Sequence, residues 1–101
     1  MTDRILTVGK SASARLPCWV QWSDWLRGEA AQLGAAVVIT SSEWSSDGLT
    51  VLGSPAPELD GSLASVWIEG GTAGERYTLT NTIETDAGHT GIERSIVVVV
   101  S

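Results

Sequence analysis

The sequence predicts an all-β fold, an immunoglobulin-like antiparallel β-sandwich of six to seven strands, on three observations. Glycine, proline, aspartate and serine cut the chain into short pieces of strand length, each rich in β-branched or aromatic residues. No long stretch carries a helical period. From Tyr77 to Glu84 the residues alternate: Tyr77, Leu79, Asn81 and Ile83 fall on one strand face, and Thr78, Thr80, Thr82 and Glu84 on the other. That is the period of a strand in an antiparallel sheet with one face buried and one wet. At 101 residues, 43% hydrophobic, the chain is one globular domain with enough apolar surface for a single core.

Residues 1–15 read as an N-terminal arm or a loosely attached edge strand, with Ile5 to Val8 as an apolar island before the polar run Gly9 to Arg15. Residues 16–101 read as the sandwich. Its strands are expected at Cys18–Trp22, Val37–Trp44, Leu49–Leu52, Leu63–Glu69, Tyr77–Thr85 and Ile92–Val100. Between the first two, Ser23 to Gly34 fits a short helix near residues 23–33, with Ser23 as N-cap and Gly34 as stop, although Gly28 weakens it. A turn followed by irregular chain fits equally. Ser54 to Gly61 reads as a loop, because Pro55 and Pro57 would disrupt a ladder.

Gly70-Gly71-Thr72-Ala73-Gly74 precedes the alternating strand. It lacks the lysine of a phosphate loop and leads into a strand instead of a helix, so Gly71 and Gly74 read as structural glycines of a tight turn. Tyr77 opens the strand in the manner of a tyrosine corner, its hydroxyl turned back onto upstream backbone. Asp86-Ala87-Gly88-His89 then supplies the turn to the last strand.

Catalysis needs convergent titratable groups, and the inventory is thin. His89 is the sole histidine, in an exposed-looking turn, and Cys18 is the sole cysteine, in the apolar stretch Leu16 to Val20. Neither a disulfide nor a zinc spacing can be written, and an enzyme is disfavoured. No cofactor is expected. The formal net charge of −6, from scattered acids, disfavours nucleic acid and anionic membrane as partners. The N-terminus shows no signal-peptide pattern and no apolar run reaches the roughly 18 residues of a membrane helix, so synthesis in a cytoplasm is expected.

Five tryptophans and no phenylalanine are more than a small sandwich needs as core anchors. Trp22 shares a face with Val20 and is expected in the core. Trp67 shares a face with Glu69, which points to the wet side, while a core Trp67 in the reversed register stays open. Exposed tryptophans mark protein interfaces and also stack on sugars. Ile96 to Val100 is apolar on both faces, a pairing hazard if it were a free edge, so it lies inside a sheet or is covered by another chain. Trp67, Trp19, Ile96, Val98 and Val100 are the expected partner contacts, and Tyr77, Trp22, Gly71 and Gly74 the expected fold-holding residues.

The order Trp22, Leu26, Gly28, then Val38-Ile39 and Trp44, then Gly48-Leu49-Thr50-Val51 leads to Val66-Trp67-Ile68-Glu69-Gly70-Gly71-Thr72-Ala73-Gly74. Tyr77-Thr78-Leu79-Thr80-Asn81-Thr82-Ile83 and Gly88-His89-Thr90 with Glu93-Arg94-Ser95-Ile96 follow. Over roughly residues 18–100 this resembles the small fiber–tail adaptor (neck-region) proteins of tailed bacteriophages. The resemblance implies a virion structural protein, a homo-oligomeric ring at the neck or tail that joins fibers or neighbouring subunits to the portal–tail axis. Its partners would be portal, head–tail adaptor, tail or fiber proteins. One departure is that Ser11 to Cys18 keeps the family's proline, Pro17, without its acidic residues. A capsid decoration protein and a carbohydrate-binding or adhesive module share the same sequence features.

Overall fold

The computed structural model describes residues 6–53 and 56–101; Ile5 of the apolar island and Ser54–Pro55 of the expected loop lie outside them. Two four-stranded sheets pack face to face around one core. The first has the order β1-β8-β7-β3, formed by β1 (Leu6–Lys10), β3 (Ile39–Ser46), β7 (Arg76–Thr85) and β8 (Ile92–Val100). The second is centred on β6 (Leu63–Glu69). β2 (Leu16–Gln21) pairs along one edge of β6, and β4 (Thr50–Val51) and β5 (Glu58–Asp60) share the other. The chain is an all-β sandwich with one short helix, α1 (Ser23–Leu33).

Two strands depart from expectation. β5 lies within the stretch read as a loop; its prolines fall at 55 and 57, so the backbone donors of residues 58–60 remain free to pair with β6. β1 runs parallel to β8, Leu6 opposite Ile96 and Lys10 opposite Val100, where every other pair is antiparallel. β1 and β8 belong to opposite ends of the chain, so no hairpin sets their direction. The Ser101 N–H donates to the Lys10 carbonyl at 2.8 Å and continues the pairing. Lys10 itself, read as part of a polar run, is only 4% exposed. Its Nζ donates to the carbonyls of Ser11 at 2.9 Å and Gly70 at 2.7 Å, tying β1 to the glycine turn.

The alternation of β7 is realised: Leu79, Asn81 and Ile83 are buried, and Thr78 and Glu84 are exposed. Ile96, Val98 and Val100 of β8 pack beside them, facing Cys18, Val20, Ala64, Val66 and Ile68 of the second sheet. Each buried valine or isoleucine contributes about 1.5–3 kcal/mol of transfer free energy. The Cys18 thiol is pushed above its ordinary pKa by desolvation, which disfavours the reactive thiolate.

The helix begins one residue earlier than the serine signal suggests. Trp22 occupies the N-cap position, its carbonyl accepting from Leu26 N–H at 2.9 Å, and Ser23 is the first helical residue. Trp22 has no capping side chain; the Gln21 side-chain oxygen takes the Ser23 N–H instead, at 3.2 Å. Gly34, left-handed at φ 70°, ends the helix by donating to the Ala30 carbonyl. Leu26 is buried and Trp25 meets the edge of Trp22, with ring centroids 5.8 Å apart.

A tryptophan face as the candidate functional site

The outer face of the second sheet follows from strand periodicity and register. Cys18 and Val20 of β2 point inward, so Pro17, Trp19 and Gln21 point out; on β6, Ala64, Val66 and Ile68 point inward, so Leu63, Ser65, Trp67 and Glu69 point out. Pairing sets Pro17 opposite Trp67 and Trp19 opposite Ser65. Trp19 and Trp67 are therefore diagonal neighbours across β2 and β6, within reach of one another for side chains this long. Trp19 is 57% exposed and Trp67 36%. The reversed register that would bury Trp67 is excluded.

Carboxylates frame this face. On β5, Glu58 stands opposite Ser65 and Asp60 opposite Leu63, which puts both acids on the tryptophan side. Glu69 is held by Arg15 at 2.9 Å, an exposed pair. Among the described residues no cation pairs with Glu58 or Asp60.

The remaining expected contact residues lie elsewhere. Ile96, Val98 and Val100 are at most 2% exposed and belong to this chain's own core, so the expectation that they face a partner is corrected. β8 is flanked by β1 and β7, and its alternate residues point between the sheets. Tyr77 behaves as its position suggested: its hydroxyl accepts the Thr72 N–H at 2.9 Å. Gly71, at φ 94°, lies where an added Cβ would stand 2.8 Å from a Val100 methyl, and Gly74 adopts φ 89°. Trp22 is 1% exposed, with Arg94 stacked 4.6 Å from the ring.

His89 is half-buried. Its Nδ1 lies 2.7 Å from Thr85 Oγ1, its Nε2 lies 3.7 Å from Glu29 Oε2, and its ring meets the edge of Trp25 at 5.1 Å. It fastens the β7–β8 turn to α1, and the Thr85 residue whose hydroxyl it meets is only 7% exposed. An open apolar cleft of about 390 Å³ lies at one end of the sandwich among Leu26, Val38 and Leu59, with no titratable side chain in its wall. Among the described residues no three of His, Cys, Asp or Glu gather to hold a metal ion, and no helix is long and apolar enough to cross a membrane.

A β-sandwich that leaves Trp19 and Trp67 exposed as diagonal neighbours on one sheet presents a surface of the kind that protein interfaces use. The sequence profile of the podophage GP4 fiber-tail adaptor protein gp77 family matches residues 10–99, and the chain belongs to that family. The match spans β2 to β7 whole, with Trp19, Trp67, Tyr77 and the glycine turn inside it. No curated protein matches the chain significantly. Membership makes this a phage tail protein that binds other virion proteins.

The sequence did not reveal Pro17, Ser65, Glu58 and Asp60 as parts of the face. Their juxtaposition depends on the β2–β6 and β5–β6 registers, which are non-local. Only the alternation of Trp19 with Cys18 and Val20 signalled which side Trp19 would take.

Proposed function

We propose that this chain is a non-enzymatic assembly protein of the phage neck, present as a ring of copies that connects fiber proteins to the portal–tail axis. Its synthesis in the host cytoplasm belongs to the same reading. The observation that carries it is a pair of tryptophans, Trp19 and Trp67, left exposed side by side on a rigid sheet in a member of the adaptor family. Tryptophan desolvates a large area at small entropic cost and dominates many interfaces. The tyrosine corner at Tyr77 supports describing the sandwich as immunoglobulin-like.

The test is assembly. Native mass by light scattering, alone and with purified portal and tail components, is expected to give a discrete ring or a monomer that joins one on addition. A monomer indifferent to every virion component would refute the reading. A sandwich presenting two tryptophans also fits a carbohydrate-binding module, and quenching of tryptophan fluorescence across a glycan panel, without tail binding, would establish that alternative.

A further inference from the structure

We infer that the partner segment docking on the Trp19–Trp67 face is extended and basic, contributed by another virion protein and carrying arginines at alternate positions. This rests on the adaptor reading above and adds the chemistry of its partner. Trp67, Ser65 and Leu63 run along β6, with Pro17, Trp19 and Gln21 beside them on β2 and Glu58 and Asp60 beside them on β5. Neighbouring strands are about 4.8 Å apart, so Trp19 and Glu58 stand about 10 Å apart across the small Ser65. The face is thus a shallow notch over Ser65, with Trp19 on one side, Glu58 on the other and Trp67 at its end along β6.

Charge decides the occupant. Arg15 neutralises Glu69 at 2.9 Å, whereas Glu58 and Asp60 have no cation among the described residues. Covering them with a neutral partner would desolvate two charges without compensation. A partner presenting cations removes that penalty, and the chain's net charge of −6 favours its approach. Arginine fits better than lysine because its planar guanidinium stacks on indole and also forks onto a carboxylate. Glu58 and Asp60 are two residues apart on one strand face, a spacing of about 6.7 Å. Alternate residues of an extended partner have the same spacing, against about 6 Å between residues i and i+4 of a helix.

The experiment uses tails isolated from particles assembled without this chain, and measures co-sedimentation of the full chain from 50 to 500 mM salt. Wild type is expected to bind, and to weaken steeply with salt. Glu58→Gln/Asp60→Asn, a near-isosteric exposed change, is expected to weaken binding at least tenfold at low salt and to flatten the salt dependence. Glu58→Lys/Asp60→Lys is expected to weaken it further. If Trp19→Thr/Trp67→Thr abolishes binding while the Gln/Asn variant binds like wild type with little salt dependence, the basic-segment inference falls and the adaptor reading stands. If wild type does not bind tails, both fall.

Discussion

The indole nitrogen of Trp22 donates to the amide oxygen of Asn81 at 2.8 Å, and the two residues are 1% and 0% exposed in the middle of the sandwich. Asn81 Nδ2 donates onward to Ser42 Oγ at 2.8 Å and to the Glu43 carbonyl at 3.0 Å. One asparagine in β7 thereby links the residue where β2 meets α1 to edge strand β3. A buried amide is costly unless its groups are met, and here both ends are occupied.

Asn81→Leu keeps the volume and removes the network, leaving the Trp22 N–H without its partner. Each orphaned buried group costs about 1–3 kcal/mol, so a loss near 3 kcal/mol is expected in urea unfolding. Trp22→Phe added to Asn81→Leu removes the orphaned donor as well. The double variant should therefore be at least about 1 kcal/mol more stable than the sum of the single changes predicts. Strict additivity would show that the hydrogen bond contributes nothing.

The turn before β7 gives a graded prediction. Gly71 and Gly74 both have positive φ, 94° and 89°, but only at Gly71 would a Cβ meet neighbours, at 2.8 Å from Val100, 3.1 Å from Leu49 and 3.2 Å from Tyr77. Gly74→Ala is expected to cost about 1–2 kcal/mol from backbone strain alone. Gly71→Ala adds overpacking and is expected to cost about 2–3 kcal/mol more than Gly74→Ala. Equal midpoints and slopes for the two variants in denaturant titration would contradict the packing at Gly71.

What could be read in the sequence was local. Tyr77 reaches Thr72, five residues upstream, and strand β7 announces its faces by alternation, so both were legible. The side taken by Trp67 was only hinted at by Glu69 two residues on, and the reversed register stayed open until the β2–β6 pairing fixed it. The direction of the β8 valines was not, because Ile96 to Val100 has no polar residue to mark a face, and a hydrophobic run fits core and interface alike. Lys10 misled for a different reason. Its burial depends on the Gly70 carbonyl, 60 residues away, which no local pattern reports.

Acid should weaken one contact in a defined direction. Hydrogen bonding to Arg94, which lies 3.1 Å away, holds the Asp24 carboxyl below the usual carboxylate range, and partial desolvation opposes this only in part. Its folded pKa is lower than its unfolded one, so its contribution is complete above the unfolded value and fades as pH falls through the folded value. Asp24 is exposed, which limits the effect to at most about 1 kcal/mol. Asp24→Asn should therefore be slightly less stable than wild type at pH 7, and the gap should close below the usual carboxylate range. A gap that persists in strong acid would assign the loss to something other than charge.

The tryptophans separate folding from function. Trp22→Ala should cost about 3–5 kcal/mol, because it opens a cavity and strips the ring from beneath the Arg94 guanidinium. Trp19→Thr and Trp67→Thr remove side chains that point away from the core and keep a β-branched residue on the strand. Each should change unfolding free energy by no more than about 1 kcal/mol. In the intact protein, acrylamide should quench Trp19 and Trp67 readily and Trp22 hardly at all, so the double threonine variant should retain mainly shielded emission. If it instead unfolds cooperatively at much lower denaturant, the two rings stabilise the sheet itself. Their exposure would then no longer require a partner.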